Sequence, residues 1–155
     1  MIIRPTLPEL RERLTKEHAY FPLAVTIDFD HEHWFALYQW LSRRSPYHIL
    51  LESGRTGRYS MMAYRPRYVL KGKDQALTVT ALNREGLATG SQVFQGRLLD
   101  VLNQWTGARR APAYDGLPDF CGGLLGFFSY HLVREIERLP HTSKDDLNKP
   151  DLYFL

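Results

Sequence analysis

The 155-residue chain is 44% hydrophobic and 24% charged, the balance of an ordinary globular domain, which excludes a disordered or collagen-like polymer. Its net charge of +3, from 20 basic and 17 acidic residues, falls short of the clustered positive charge of a nucleic-acid footprint, and a single cysteine, Cys121, excludes an internal disulfide or a zinc ribbon. No run reaches the roughly 20 apolar residues that span a bilayer, and Met1-Ile2-Ile3-Arg4-Pro5 has no signal-peptide form, so a cytoplasmic protein with neither membrane nor nucleic acid as partner is expected.

Thr6-Leu7-Pro8-Glu9 has the form of a capping box, and Leu7, Leu10 and Leu14 share one helical face, which predicts a short helix over 7–17. Leu23, Val25, Ile27 and Phe29 alternate as in a strand. From Asp30 the period changes: Trp34, Leu37, Tyr38 and Leu41 follow helical spacing, with Asp30 as cap and Ser45-Pro46 as the stop near Arg44. Residues 47–90 then read as an antiparallel meander. Its strands are 47–52, 58–64, 67–71 and a run through Leu77, Val79 and Ala81, and its turns fall at Gly72-Lys73-Asp74 and Asn83-Arg84-Glu85-Gly86. Phe94, Leu98, Val101, Leu102 and Trp105 recover the helical period, with Gly107 as a C-terminal stop. A loop over 109–118 leads to the Gly-rich apolar run 120–130, expected as a buried strand with a close backbone neighbour. A short helix over 132–139 and a final strand from Pro150 complete the chain. The last strand stops on an apolar run, as if cut. Two or three helices among antiparallel strands make an α+β class, mainly antiparallel sheet with a few packed helices.

Few residues suggest chemistry by themselves. Gly122, Gly123 and Gly126 match neither phosphate-loop spacing, so close strand packing is their expected role. His31 and His33 stand at i and i+2, about 200° apart on a helix, and belong to a solvated face. Cys121 has no neighbouring cation to activate it and is expected as a small core residue. Six cations between Arg55 and Lys73 interleave with Tyr59, Tyr64 and Tyr68. That pattern suits a single-stranded nucleic-acid platform or, more simply, one wet basic sheet face. Glu52-Ser53 closes an apolar strand before a loop, where a carboxylate, a hydroxyl and strand-end carbonyls can orient a small zwitterion or merely terminate the strand.

Two segments carry a resemblance. His48-Ile49-Leu50-Leu51-Glu52-Ser53, followed by Gly57-Arg58-Tyr59-Ser60, resembles the LLES…GRYS signature of the chorismate-utilising enzymes. The run from Asp119 to Tyr130, with Leu132-Val133-Arg134 and Ile136-Glu137, is similar to their F-x-G-G-x-x-G-[YF]-x-x-Y-[DE] block. Asp145-Asp146-Leu147 and Pro150-Asp151-Leu152-Tyr153-Phe154 are similar to the segment after it. The first 45 residues match only as helix, strand, helix, and Cys121 and His131 depart from the pattern.

The family is component I of aminodeoxychorismate synthase and anthranilate synthase, with the wording here closer to the aminodeoxychorismate type. The resemblance implies that residues 1–155 are an anthranilate synthase component I-like N-terminal domain, the catalytic chorismate-binding C-terminal domain lying outside them. It implies addition of ammonia to chorismate, on the folate route (para-aminobenzoate) or the tryptophan route. Ammonia comes from a glutamine amidotransferase component II, and the second partner is the chain's own C-terminal catalytic domain. No cofactor is expected in this stretch; Mg²⁺ is expected in the catalytic half, and the stretch by itself is expected not to aminate chorismate. The carried-over site is part of a tryptophan pocket: Leu51, Glu52 and Ser53, with Tyr59 and Met61 on the adjoining strand. A stand-alone binding module, for an amino acid or for single-stranded nucleic acid, is the competing class.

Overall fold

The computed structural model describes residues 2–13, 20–53, 59–112, 115, 117, 120–139 and 147–155. Among them the fold is α+β and mostly sheet. Strand β1 (Ile2–Arg4) pairs antiparallel with β2 (Ala24–Thr26), Ile3 facing Val25. Between them α1 (Leu7–Arg13) opens with the predicted capping box. The Thr6 backbone N–H and hydroxyl donate to Glu9 Oε2 at 2.7 and 2.8 Å, and the Glu9 N–H returns to Thr6 Oγ1 at 3.5 Å. The remainder of the helix expected to residue 17 lies outside the described residues. Strand β1 escaped the sequence pattern because three residues before a proline show no alternation.

Helix α2 (Trp34–Ser42) follows a 3-10 turn at His31–His33, in which Asp30 Oδ1 accepts the Glu32 N–H at 3.1 Å and the Asp30 carbonyl accepts that of His33 at 3.1 Å. The chain then makes a hairpin, β3 (His48–Leu51) and β4 (Met61–Tyr64), which is a sheet of its own. The single meander expected over 47–90 is therefore two sheets. Arg65, at φ +52° before Pro66, redirects the chain so that β4 pairs only backwards onto β3.

The larger sheet is five-stranded and antiparallel, in the order β7-β6-β5-β9-β8. Its strands are β5 (Tyr68–Lys73), β6 (Ala76–Leu82), β7 (Ala88–Gln95), β8 (Gly126–Phe128) and β9 (Leu152–Phe154). Asp74 and Gln75, both at positive φ (+48° and +64°), form the two-residue turn that matches the twist of the β5–β6 hairpin. Gly72, expected in that turn, sits instead inside β5. A β-carbon there would come within 2.6 Å of Leu152 Cγ and 2.9 Å of Leu98 Cδ2, so its absence lets a helix and a strand meet over β5.

That helix is α3 (Leu98–Gly107). Leu98, Val101, Leu102 and Trp105 face Leu70, Leu77 and Val79 of the sheet, with Leu132, Leu152 and Phe154 completing the core. Full burial of each leucine is worth about 1.5–3 kcal/mol. Phe94 belongs to β7, opposite Leu77, not to the helix. Its helical spacing misled because Gly96 (φ +136°) resets the chain between strand and helix while both elements face the same core.

The Gly-rich run also differs from expectation. Strand β8 is an edge strand, Phe127 and Phe128 are half-exposed, and Cys121 is exposed. Gly122 and Gly123 bend the chain at φ +149° and +141°, so pairing starts only at Gly126. The close approach holds at Gly126, where a β-carbon would overlap the Tyr153 carbonyl oxygen and lie 2.8 Å from Phe154 Cα. The helix expected over 132–139 is a 3-10 segment, Tyr130–Glu135, which turns Leu132 into the core and Glu135 toward α3.

Candidate functional site

The register of the β3–β4 hairpin places Leu51 opposite Met61, Leu50 opposite Met62, Ile49 opposite Ala63 and His48 opposite Tyr64. Leu51 and Met61 are thus direct cross-strand neighbours at the open end of the ladder. Glu52 and Ser53 continue from one side, and Tyr59 and Ser60 arrive on the other. Across the mouth the Ser53 N–H donates to Ser60 Oγ at 3.0 Å. The five residues singled out in the sequence therefore lie on the two arms of this mouth, with Leu51 and Met61 as a cross-strand pair and Tyr59 two residues ahead of the strand it was expected on. Leu51 (43%), Tyr59 (53%) and Glu52 are exposed, while Ser53 and Met61 are half-buried. The loop expected at 54–57 lies outside the described residues.

The hairpin is held at its other end by groups that the sequence did not flag. Ser45 is buried, 5% exposed. Its hydroxyl donates to the Tyr47 carbonyl at 2.7 Å and accepts the N–H groups of Tyr47 (3.3 Å) and Arg65 (3.2 Å), joining the entry of β3 to the exit of β4. Pro46 packs under Gly86 (φ +82°), where a β-carbon would lie 2.6 Å from Pro46 Cγ, and so ties this root to the β6–β7 turn of the larger sheet. The Tyr38 hydroxyl and His48 Nδ1 are 2.7 Å apart, with their rings edge-to-face at 5.5 Å, which docks α2 on β3. A serine before a proline and a tyrosine on a helix carry no sequence signal for such roles.

The mouth offers a carboxylate, a hydroxyl and strand-end carbonyls beside exposed apolar surface, which is recognition chemistry for an ammonium group with an apolar body. A nucleophile with an adjacent base is not among its described residues. Nor do three His, Cys, Asp or Glu side chains stand close enough among the described residues to share a metal ion. His33 pairs with Asp30 at 3.4 Å on the surface. The described cations of the basic stretch are dispersed. Lys73 Nζ donates to Asn148 Oδ1 (2.6 Å) and the Lys149 carbonyl (3.2 Å), Lys71 lies 5.5 Å from the Tyr153 ring, and Arg67 lies 5.3 Å from that of Tyr20. Among the described residues no helix is long and apolar enough to cross a membrane.

Two phenols, Tyr20 and Tyr68, lie 3.3 Å apart, oxygen to oxygen. Their shared hydrogen bond, more than any other influence, holds Tyr68 below the ordinary phenol range, with the Arg109 and Arg67 guanidiniums acting the same way; Tyr20 is pushed up by the same bond and by burial. Burial, then the neighbouring Tyr47, pushes Tyr153 up.

No family model matches the chain. It is 33% identical over 136 residues to aminodeoxychorismate synthase component 1 of Bacillus subtilis, which covers 86% of this chain and 27% of the relative. It is also 33% identical to two proteins named anthranilate synthase component 1. The match to that of Mycolicibacterium smegmatis covers 92% of this chain and 27% of the relative; that of Arthrobacter globiformis covers 97% and 28%. The chain therefore spans little more than a quarter of the length of these curated relatives. By sequence it is related, over most of its own length, to the N-terminal region of component 1 of the aminodeoxychorismate and anthranilate synthases.

Proposed function

We propose that this chain is the N-terminal domain of an aminodeoxychorismate synthase component 1, a cytoplasmic enzyme that adds ammonia to chorismate. A C–N bond forms at the ring, the C–O bond to the hydroxyl breaks, and water leaves. The observation that carries this reading is the 33% identity to the Bacillus subtilis aminodeoxychorismate synthase component 1 over 86% of the chain. In it the domain scaffolds a C-terminal catalytic half and touches the glutamine amidotransferase that supplies ammonia; Mg²⁺ belongs to that catalytic half. The half-exposed Phe127 and Phe128 on edge strand β8 supply an apolar surface suited to such a covering. The mouth of the β3–β4 hairpin serves as part of an effector pocket, in which Glu52 and the strand-end carbonyls receive an ammonium group, Ser53 and Tyr59 line the entrance, and Leu51 and Met61 take the indole of tryptophan.

Mixing the purified chain with the remaining three quarters of the Bacillus subtilis component 1, then supplying chorismate, ammonia and Mg²⁺, tests the reading. A 4-amino product formed only when both pieces are present supports it. The catalytic piece sets the position of amination, so the same mixing is repeated with the corresponding piece of the Mycolicibacterium smegmatis anthranilate synthase component 1; product formed only with that piece favours the anthranilate synthase reading, which the two other relatives support. Absence of any chain-dependent product overturns both.

A further inference from the structure

A second polar cluster lies away from the hairpin, where α3 ends over the start of β5. The Arg109 guanidinium sits 3.9 Å above the Trp105 ring and 5.8 Å from that of Tyr68, and it donates to the Trp105 carbonyl at 2.8 Å. Trp105 and Tyr68 meet edge-to-face at 5.2 Å, and the Tyr20 hydroxyl is 3.3 Å from that of Tyr68. Arg67 lies 5.3 Å from the Tyr20 ring. No carboxylate among the described residues pairs with either arginine. Both cations rest on aromatic faces, and a guanidinium stacked in this way is weakly hydrated and keeps free N–H donors in a planar fork.

Beside this cluster is an open groove of about 210 Å³, lined by Phe94, Val101, Gln104, Trp105, Ala108 and Arg109. Phe94, Val101, Trp105 and Ala108 give it an apolar floor beside the polar Gln104 and Arg109, and it is ample for one aromatic ring, since a cavity of roughly 150 Å³ holds a benzene. Arg109 belongs to both the groove and the phenol cluster.

We infer that Arg67, Arg109 and the Tyr20–Tyr68 hydroxyl pair form a binding site for an aromatic carboxylate, with its carboxylate on the guanidiniums and its ring in the Phe94–Val101–Trp105 groove. Tyr68 ionises below the ordinary phenol range first through the Tyr20 hydrogen bond, and the Arg109 and Arg67 guanidiniums act in the same direction. The site shares no residue with the β3–β4 mouth and does not depend on the function proposed above.

Calorimetric titration of the chain with benzoate tests it. Benzyl alcohol supplies the ring without the charge, and inorganic phosphate the charge without the ring. Saturable benzoate binding, weakened at least about tenfold by Arg67→Gln and by Arg109→Gln and falling with added salt, supports the site; each half-ligand should bind at least about tenfold more weakly. Benzoate should also move the ionisation of Tyr68 to higher pH, because an anion cancels the guanidinium charge that favours the phenolate. The inference fails if benzoate does not saturate, if phosphate binds as tightly, or if Arg67→Gln with unchanged circular dichroism binds benzoate like the parent. Arg67 is exposed, so its variant decides the matter even if Arg109→Gln does not fold.

Discussion

The carboxylate of Glu135 closes the N-terminus of α3 by accepting the backbone N–H of Leu98 at 2.7 Å. Its second oxygen accepts the N–H of Leu99 at 3.0 Å, and the Arg97 guanidinium donates to the Glu135 carbonyl. Arg97, the residue in the capping position, makes no side-chain cap of its own, so a residue 38 positions away does that work. Glu135→Ala is expected to cost about 0.5–2 kcal/mol, the range for losing a cap, and Glu135→Gln less. Urea unfolding midpoints measure both; an unchanged midpoint for Glu135→Ala would remove the cap from the stability argument.

Gly126→Ala should be the most damaging single-methyl change in the sheet. The new carbon overlaps backbone, the Tyr153 carbonyl and Phe154 Cα, which cannot rotate away. Its cost should exceed the about 1–3 kcal/mol of ordinary overpacking. Gly72→Ala meets the side chains of Leu152 and Leu98, which can shift, and should fall within that range. Thermal melts of the two variants should rank in that order.

Ser45→Ala leaves the Arg65 N–H and the Tyr47 carbonyl without their hydroxyl partner in a buried place. The expected loss is about 1–3 kcal/mol. Hydrogen exchange should show faster amide exchange in the β3–β4 hairpin, with the β5–β6 amides changed less.

The Tyr20–Tyr68 pair should ionise in two steps around the ordinary phenol value, the first below it and the second above. Tyr20→Phe removes the main cause of the lowering and should move the Tyr68 step upward in an ultraviolet phenolate titration. Tyr153 bears on alkaline stability. Its folded value is raised, so its contribution is fully present below the unfolded phenol value and is lost as pH rises through the folded one. Tyr153→Phe should therefore flatten the fall of stability on the alkaline side.

Ser53→Phe fills the mouth between Ser53 and Ser60 while leaving both strands of the hairpin intact. Calorimetry should show the heat of tryptophan binding lost, with unfolding free energy within about 1 kcal/mol of the parent. Equal loss of folding would make Ser53 a structural residue only.

The sequence was most legible where local chemistry decided the outcome. Thr6 and Glu9 cap each other as their spacing foretold, and Asn83 Oδ1 gathers the N–H groups of Glu85 and Leu87 in the predicted turn. The cross-strand neighbourhood of Leu51 and Met61 was also legible, because the motif puts them on adjoining strands. It failed where distant partners decided. Gly72 looks like a turn residue until Leu98 and Leu152 are seen above it, and Phe94 carries a helical spacing that a strand and a helix produced jointly. Cys121 read as core from its apolar neighbours, yet two glycines at positive φ swing it outward. Ser45 and Glu135 act on backbone groups 20 and more than 35 positions away, and no window along the chain contains both ends of such a bond.

The position of β9 between β5 and β8 sets an order of events as the chain is made. Strands β5, β6 and β7 close through short turns and can pair early, whereas Leu70 meets Phe154 only across more than eighty positions of chain. Until residues 152–154 emerge, β8 has no neighbouring strand among the described residues, and its two phenylalanines stand bare. The aromatic edge is thus the last part of the sheet to be secured during synthesis and the part a nascent chain most needs shielded from self-association.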